Sequence, residues 1–108
     1  MKHGPLVSIA LCTYNGAGFI AEQLDTLITQ TYAPIEIIAV DDSSTDETFN
    51  ILMAYAAKYS QIKIYKNENN IGFAANFERA ATLCDGELIA LCDQDDLWHP
   101  QKIELHKN

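Results

Sequence analysis

An α/β fold, with a mostly parallel sheet covered by helices on both faces, is what this 108-residue sequence predicts. Three observations point there. Apolar segments of strand length alternate along the chain with segments of helical periodicity. The strand segments are continuously apolar, as strands buried on both faces are. Polar clusters follow the strands, at the edge where open parallel sheets bind ligands.

The first strand is "LVSIALC", Leu6 to Cys12, closed by the turn pair Asn15-Gly16. A helix follows from Ala17 to about Gln30, because Ile20, Leu24, Leu27 and Ile28 form one stripe on a helical face. Pro34 marks the next loop, and "IEIIAV", Ile35 to Val40, is a second buried strand. Ser44 with Glu47 three residues on has the pattern of a capping box, opening a helix that buries Leu52, Tyr55, Ala56 and Tyr59. "QIKIY", Gln61 to Tyr65, alternates as a third strand. Beyond the polar "KNENNIG", a third helix is striped by Phe73, Phe77, Ala80, Ala81 and Cys84 and stopped by Asp85-Gly86. "ELIALC" is the fourth strand, and Pro100 suits the first turn of a closing helix.

Composition narrows the function. With 48% apolar and 20% charged residues the chain has the makings of a core. Its 15 acidic against 7 basic residues, a net charge of −8, argue against nucleic acid as partner, since a phosphate backbone is bound through basic stripes. Any anionic ligand then needs help from a cation or from backbone N–H groups. Cys12, Cys84 and Cys92 are an odd count without C-x-x-C spacing, which suits buried thiols in a reducing compartment. No apolar run approaches the ~18 residues of a membrane span, and the start lacks a signal-peptide cleavage pattern. A cytoplasmic domain is the expectation.

The densest chemistry lies in "LIALCDQDDLWHP", where Asp93, Asp95 and Asp96 crowd the end of the fourth strand. A solvated loop is the simplest account. The functional one is that clustered carboxylates supply hard oxygen ligands, and a divalent cation relieves their repulsion. Mg²⁺ or Mn²⁺ suits such a site better than Zn²⁺, which prefers His and Cys. An EF-hand loop fails, because Trp98 stands where that loop requires Gly. Asp41 and Asp42 end the second strand, where a carboxylate can accept from a base N–H or a ribose hydroxyl; Asp46 and Glu47 suit a helix start. Thr13, Tyr14 and Asn15 border the same crevice, with Tyr14 able either to stack on a base or to pack.

The segments "VSIALCTYNG", "QTYAPIEIIAVDDSSTDET" and "NIGFAANFERAATLCDGELIALCDQDD" resemble, in order and spacing, the family 2 glycosyltransferases, whose nucleotide-sugar-binding half has the Rossmann-like GT-A fold. The resemblance covers nearly the whole chain, and its most specific part is the D-x-D motif behind a Gly-Glu lead-in to the strand. It implies that residues 1–108 are the donor-binding portion of an inverting glycosyltransferase of glycan or polysaccharide synthesis. Thr13, Tyr14 and Asp42 would line the nucleoside pocket, Asp93 would touch the ribose side, and Asp95 with Asp96 would bear Mn²⁺ or Mg²⁺. "DQDD" offers two overlapping registers, so the principal ligand stays open between those two. Asn15, Asn70, Gly72 and Asn76 also fit the nucleotide-sugar site, with a cap and a turn as the alternative roles of the last three.

A nucleotide-diphospho-sugar is the implied donor and a glycan or lipid-linked hydroxyl the acceptor, with the membrane periphery as an alternative location for the full-length enzyme. Relatives carry the general base well beyond the metal motif, which implies a base beyond Asn108. His99 and Glu104 read better as a helix-start residue and a solvated face, so the 108 residues alone are expected to be inactive, and to pair as a homodimer through the fourth strand or closing helix. Two alternatives remain: a phospho-accepting receiver domain, which would need a lysine after a late strand and finds only Lys66 after the third, and a non-catalytic nucleotide-sugar-binding module.

Overall fold

The computed structural model describes residues 4–93 and 96–107. Two positions named above, the metal candidate Asp95 and Asn108, past which the general base is expected, therefore lie outside the described residues. Strands and helices alternate as β1 (Val7–Thr13), α1 (Ile20–Ile28), β2 (Ile35–Asp41), α2 (Thr48–Lys58), β3 (Ile62–Lys66), α3 (Phe73–Leu83), β4 (Leu88–Cys92) and α4 (Lys102–Lys107). The four strands form one parallel sheet in the order β3-β2-β1-β4. From β1 the chain steps outward through β2 and β3, then crosses back to lay β4 on the other side of β1. The point between β1 and β4 is therefore a topological switch, where ligand crevices form in such sheets.

Side-chain alternation distributes the core. Val7, Ile9 and Leu11 of β1, with Ile37 and Ala39 of β2, face α1, α2, Trp98 and Ile103 of α4. Ala10 and Cys12, with Ile38 and Val40, face Ala80 of α3. Small residues on the α3 side of β1 let that helix approach the sheet closely. Helices thus cover both faces, and β1 is buried along its whole length. None of the described helices is long and apolar enough to cross a membrane.

Several boundaries differ from the sequence expectation, each for a local reason. β1 runs to Thr13, whose hydroxyl donates to Asp41 Oδ1 at 2.7 Å, so a polar residue extends the strand. α1 starts at Ile20 and not at Ala17, because the Phe19 and Ile20 N–H groups first close a turn on the Gly16 carbonyl. The Ser44–Glu47 capping box does not form. Asp46 serves that end instead, its Oδ1 accepting from the Thr48 N–H at 2.9 Å, while Ser44 donates to Asp41. In α3, Phe73 of the expected buried stripe is 57% exposed and Asn76 is buried in its place. Pro100 precedes the first turn of α4, and its carbonyl accepts from the Thr31 N–H at 2.8 Å.

Candidate functional site

Parallel register brings Thr13, Asp41 and Lys66 side by side at the carboxyl edge of the sheet, so the loops that follow converge there. The turn after β2 is built around Asp41, which is fully buried. Its Oδ1 accepts from the Thr13 and Ser44 hydroxyls at 2.7 and 2.6 Å, and its Oδ2 accepts from the Ser44 N–H at 2.9 Å. These bonds hold Ser43 in a left-handed conformation, φ 63°, which non-glycine residues adopt only where the surroundings impose it.

Asn15 is left-handed too, φ 50°. Its N–H donates to Ser44 Oγ at 2.8 Å, and its Oδ1 accepts from the Thr45 N–H at 2.8 Å. Asn15, expected to border the ligand crevice, thus has its side-chain oxygen engaged with the β2–α2 loop.

A cleft of about 360 Å³ opens beside this turn. Thr13 and Tyr14 from the end of β1, Asp42 after β2, Asn70 and Gly72 from the loop after β3, and Asn76 from α3 all line it, so six of the residues singled out from the sequence meet there. Cys12 and Phe73 complete the wall. Tyr14 is 44% exposed and presents its ring at the mouth.

Asp42 organises the opposite side. Oδ1 accepts from Asn67 Nδ2 and the Ile71 N–H, both at 2.8 Å, and Oδ2 accepts from the Gly72 N–H at 2.9 Å. Its carbonyl accepts from Asn70 Nδ2 at 3.2 Å. Gly72 can aim its N–H this way because it adopts φ 88°, ψ 161°, a region essentially reserved for glycine. One carboxylate thereby fastens the loop that walls the cleft.

The acidic turn after β4 adjoins this wall. Burial pushes the Cys12 thiol, part of the cleft wall, up to about 11, and the nearby negative charges of Asp93 and Asp42 add to the shift. The Asp96 N–H donates to the Asp93 carbonyl at 3.1 Å, closing a turn that exposes both side chains. Burial also pushes Cys92 up to about 12, opposed by a hydrogen bond from Gln23 and reinforced by Asp96 and Asp93.

Both thiols are buried and held protonated in the metal-free chain. What remains is a set of exposed carboxylates, whose hard oxygens suit Mg²⁺ or Mn²⁺. Among the described residues no group of three or more His, Cys, Asp or Glu side chains stands ready to hold a metal. Asp95 is outside them.

Periodicity missed several residues of this edge. Gln23, fully buried on α1, donates to the Asp93 carbonyl at 2.5 Å and to Cys92 Sγ at 3.3 Å. Asn67 ties Asp42 to Asn76. A polar residue in an apolar stripe was the available signal for Gln23. Lys66, the lysine a phospho-accepting receiver would use, lies with Nζ 5.1 Å from the Phe49 ring centroid and is engaged with α2.

Comparison with known proteins agrees with this geometry. The sequence model of glycosyl transferase family 2 matches residues 8–106. The chain is 38% identical over 105 residues to EpsE of Bacillus subtilis, named as a glycosyltransferase, covering 96% of this chain and 38% of that protein. It is 36% identical over 104 residues to an uncharacterized glycosyltransferase of Haemophilus influenzae, covering 96% and 32%. The chain thus spans about a third of the length of these curated relatives.

Among solved structures, residues 1–349 of S. aureus TarS in complex with UDP superpose with a TM-score of 0.85 at 29% identity, covering 94% of this chain and 30% of that TarS fragment. The mannosyltransferase PcManGT of Pyrobaculum calidifontis, in complex with GDP-Man and Mn²⁺, gives 0.83 at 29%, covering 90% and 29%. With its parallel sheet and flanking helices in the GT-A arrangement, and the family pattern running through almost all of its length, the chain belongs to glycosyl transferase family 2.

Proposed function

We propose that residues 1–108 form the donor-binding part of a glycosyltransferase that moves a sugar from a nucleotide-diphospho-sugar to an acceptor hydroxyl. One observation carries the reading: a cleft at the carboxyl edge of the sheet joins an exposed aromatic ring, Tyr14, to a fixed buried carboxylate, Asp42, beside the acidic turn that follows β4. A flat ring and an acceptor-only group suit a nucleobase that stacks and donates an N–H. Asn70, Gly72 and Asn76 shape the wall, and Asp93 takes the ribose side. The ligands that TarS and PcManGT hold, UDP and GDP-Man, support a donor of this class.

Asp95 and Asp96 would hold Mn²⁺ or Mg²⁺, which when bound supplies Lewis-acid stabilisation of the departing nucleoside diphosphate. This chain's own residues bind and orient the donor. Transfer is by direct displacement with inversion, the general base and acceptor pocket come from sequence beyond Asn108, and the enzyme works in the cytoplasm on glycan or polysaccharide precursors. The 108 residues alone then bind donor without transferring its sugar.

Calorimetric titration of UDP, GDP and dTDP, with Mn²⁺ and with chelator, tests the reading. Binding of at least one nucleotide that needs the metal is expected, and the paired change Asp95→Asn with Asp96→Asn should remove the metal dependence. Equal binding in chelator, or none with any nucleotide, would refute it.

A further inference from the structure

We infer that Asn67 and Arg79 are positioning residues of the nucleoside pocket, fixing the direction in which Asp42 offers its carboxylate to the ligand. The inference rests on the donor-site reading above and adds two residues that do not themselves line the cleft.

Asn67 is 3% exposed at the end of β3, where its N–H continues the ladder onto the Asp41 carbonyl at 2.9 Å. Both hydrogens of its Nδ2 are used: one goes to Asp42 Oδ1 and one to Asn76 Oδ1, each at 2.8 Å. Its Oδ1 accepts from the Arg79 guanidinium. An ionised carboxylate only accepts and a guanidinium only donates. The Asn67 amide therefore has one orientation that satisfies both ends, and flipping it would set donor against donor at Arg79 and acceptor against acceptor at Asp42.

The constraint propagates. With Asn76 Oδ1 committed to Asn67, its Nδ2 donates to the Val40 carbonyl at 3.0 Å, which pins α3 to β2. Arg79 lies three residues beyond Asn76, so one helical face carries both ends of the chain of bonds. At Asp42 the outcome is asymmetric. Among the described residues, Oδ1 already accepts two N–H groups, from Asn67 and Ile71, whereas Oδ2 accepts only that of Gly72. A carboxylate oxygen has room for about two such bonds. The free acceptor capacity thus sits on Oδ2, and the amide of Asn67 decides which oxygen that is. In a chain of net charge −8, the network also sets a cation at the far end from a buried anion.

The experiment measures UDP affinity in Mn²⁺ between pH 5.5 and 8 for the wild type, Arg79→Ala, Arg79→Lys and Asn67→Asp, with urea denaturation of each. Arg79→Ala should weaken UDP binding by about five- to tenfold, the order of one ordinary hydrogen bond's net contribution. Arg79→Lys, which keeps a cationic donor, should restore affinity to within about twofold.

Asn67→Asp sets a second carboxylate against Asp42, and the pair will share a proton. Its affinity should fall more than about tenfold at pH 8 and recover towards pH 5.5, relative to the wild type at each pH. The other titratable or charged groups around this network are Cys12 of β1, on which the charges of Asp42 and Asp93 both act, Tyr14 in the same cleft, and Arg79 of α3, bonded to Asn67; all are common to the Asn67→Asp variant and the wild type.

Wild-type affinity in Arg79→Ala, or an Asn67→Asp profile parallel to the wild type, overturns the inference. If the wild type binds no UDP, the donor-site reading fails separately. The positioning claim is then decided on the unliganded chain by the amide resonances of Ile71 and Gly72. Displacement in Arg79→Ala and return in Arg79→Lys supports it, and unmoved resonances in Arg79→Ala refute it.

Discussion

Glu36 is a carboxylate only 5% exposed on β2, towards the sheet edge opposite the cleft. Burial alone would raise its pKa. The Ser8 hydroxyl at 2.5 Å, the Asp85 N–H at 2.7 Å and Lys63 Nζ at 3.3 Å outweigh that effect and hold the carboxyl below its ordinary value of 4.5. A depressed folded-state pKa means the ionised form stabilises the fold. That stability is fully present above the unfolded value near 4.5 and is lost as pH falls through the lower folded value. Glu36→Gln should therefore cost about 1.5–3 kcal/mol at pH 7, the range for hydrogen bonds to a charged group. In urea denaturation the gap between wild type and variant should narrow below pH 4.5; a gap constant from pH 7 to pH 3.5 would count against the assignment.

Residues of this kind were the least legible in the sequence. Gln23, Glu36 and Asn67 are all buried polar side chains, and hydrophobic periodicity carries no mark that tells a buried polar group from an exposed one. Asp42 and Tyr14 could be read because they follow strands.

At the scale of elements the alternation of periods was enough to order all eight, because strands buried on two faces and helices buried on one leave different patterns. The helix starts were harder. A capping box is one local preference, and at Ser44 it lost to another, the turn in which Asp41 takes the hydroxyl as a donor. The Asp85-Gly86 stop before β4 was legible as punctuation, but its stricter purpose was not. A Cβ on Gly86 would come within 2.6 Å of the Ser8 backbone nitrogen and 2.8 Å of the Leu6 carbonyl oxygen. Backbone cannot yield as a flexible side chain does, so Gly86→Ala should push the start of β4 away from β1 and cost about 1–3 kcal/mol, as overpacking does. Denaturation midpoints check this, and hydrogen exchange should quicken first at the Glu87 N–H, which donates to the Leu6 carbonyl at 2.9 Å. An Ala variant as stable as the wild type would show that β4 does not depend on this close approach.

For the whole molecule the question is what its exposed edge does in solution. The radius of gyration, 12.9 Å, matches the ~13 Å of a compact domain of this size, so exposed apolar surface is not a sign of loose packing. Yet Leu88 and Ile89 of β4 are 46% and 45% exposed, Leu105 of α4 is 61% exposed, and a cleft of about 340 Å³ runs between the two elements. Among the described residues β4 has no neighbour on its outer side. It also carries none of the charges, prolines or bulges that usually blunt an edge strand. A row of unpaired backbone groups flanked by apolar side chains recruits partners. Alone in solution, a second copy is the partner available. The net charge of −8 opposes contact, but salt screens that repulsion within about 8 Å at physiological strength while leaving apolar burial intact. The 108-residue chain should thus self-associate more strongly as salt rises, and Ile89→Lys, which puts a charge on the edge, should weaken association without unfolding a half-exposed position. Sedimentation velocity across concentration and salt decides it: a monomer at high concentration in both low and high salt would mean that the β4 edge does not pair.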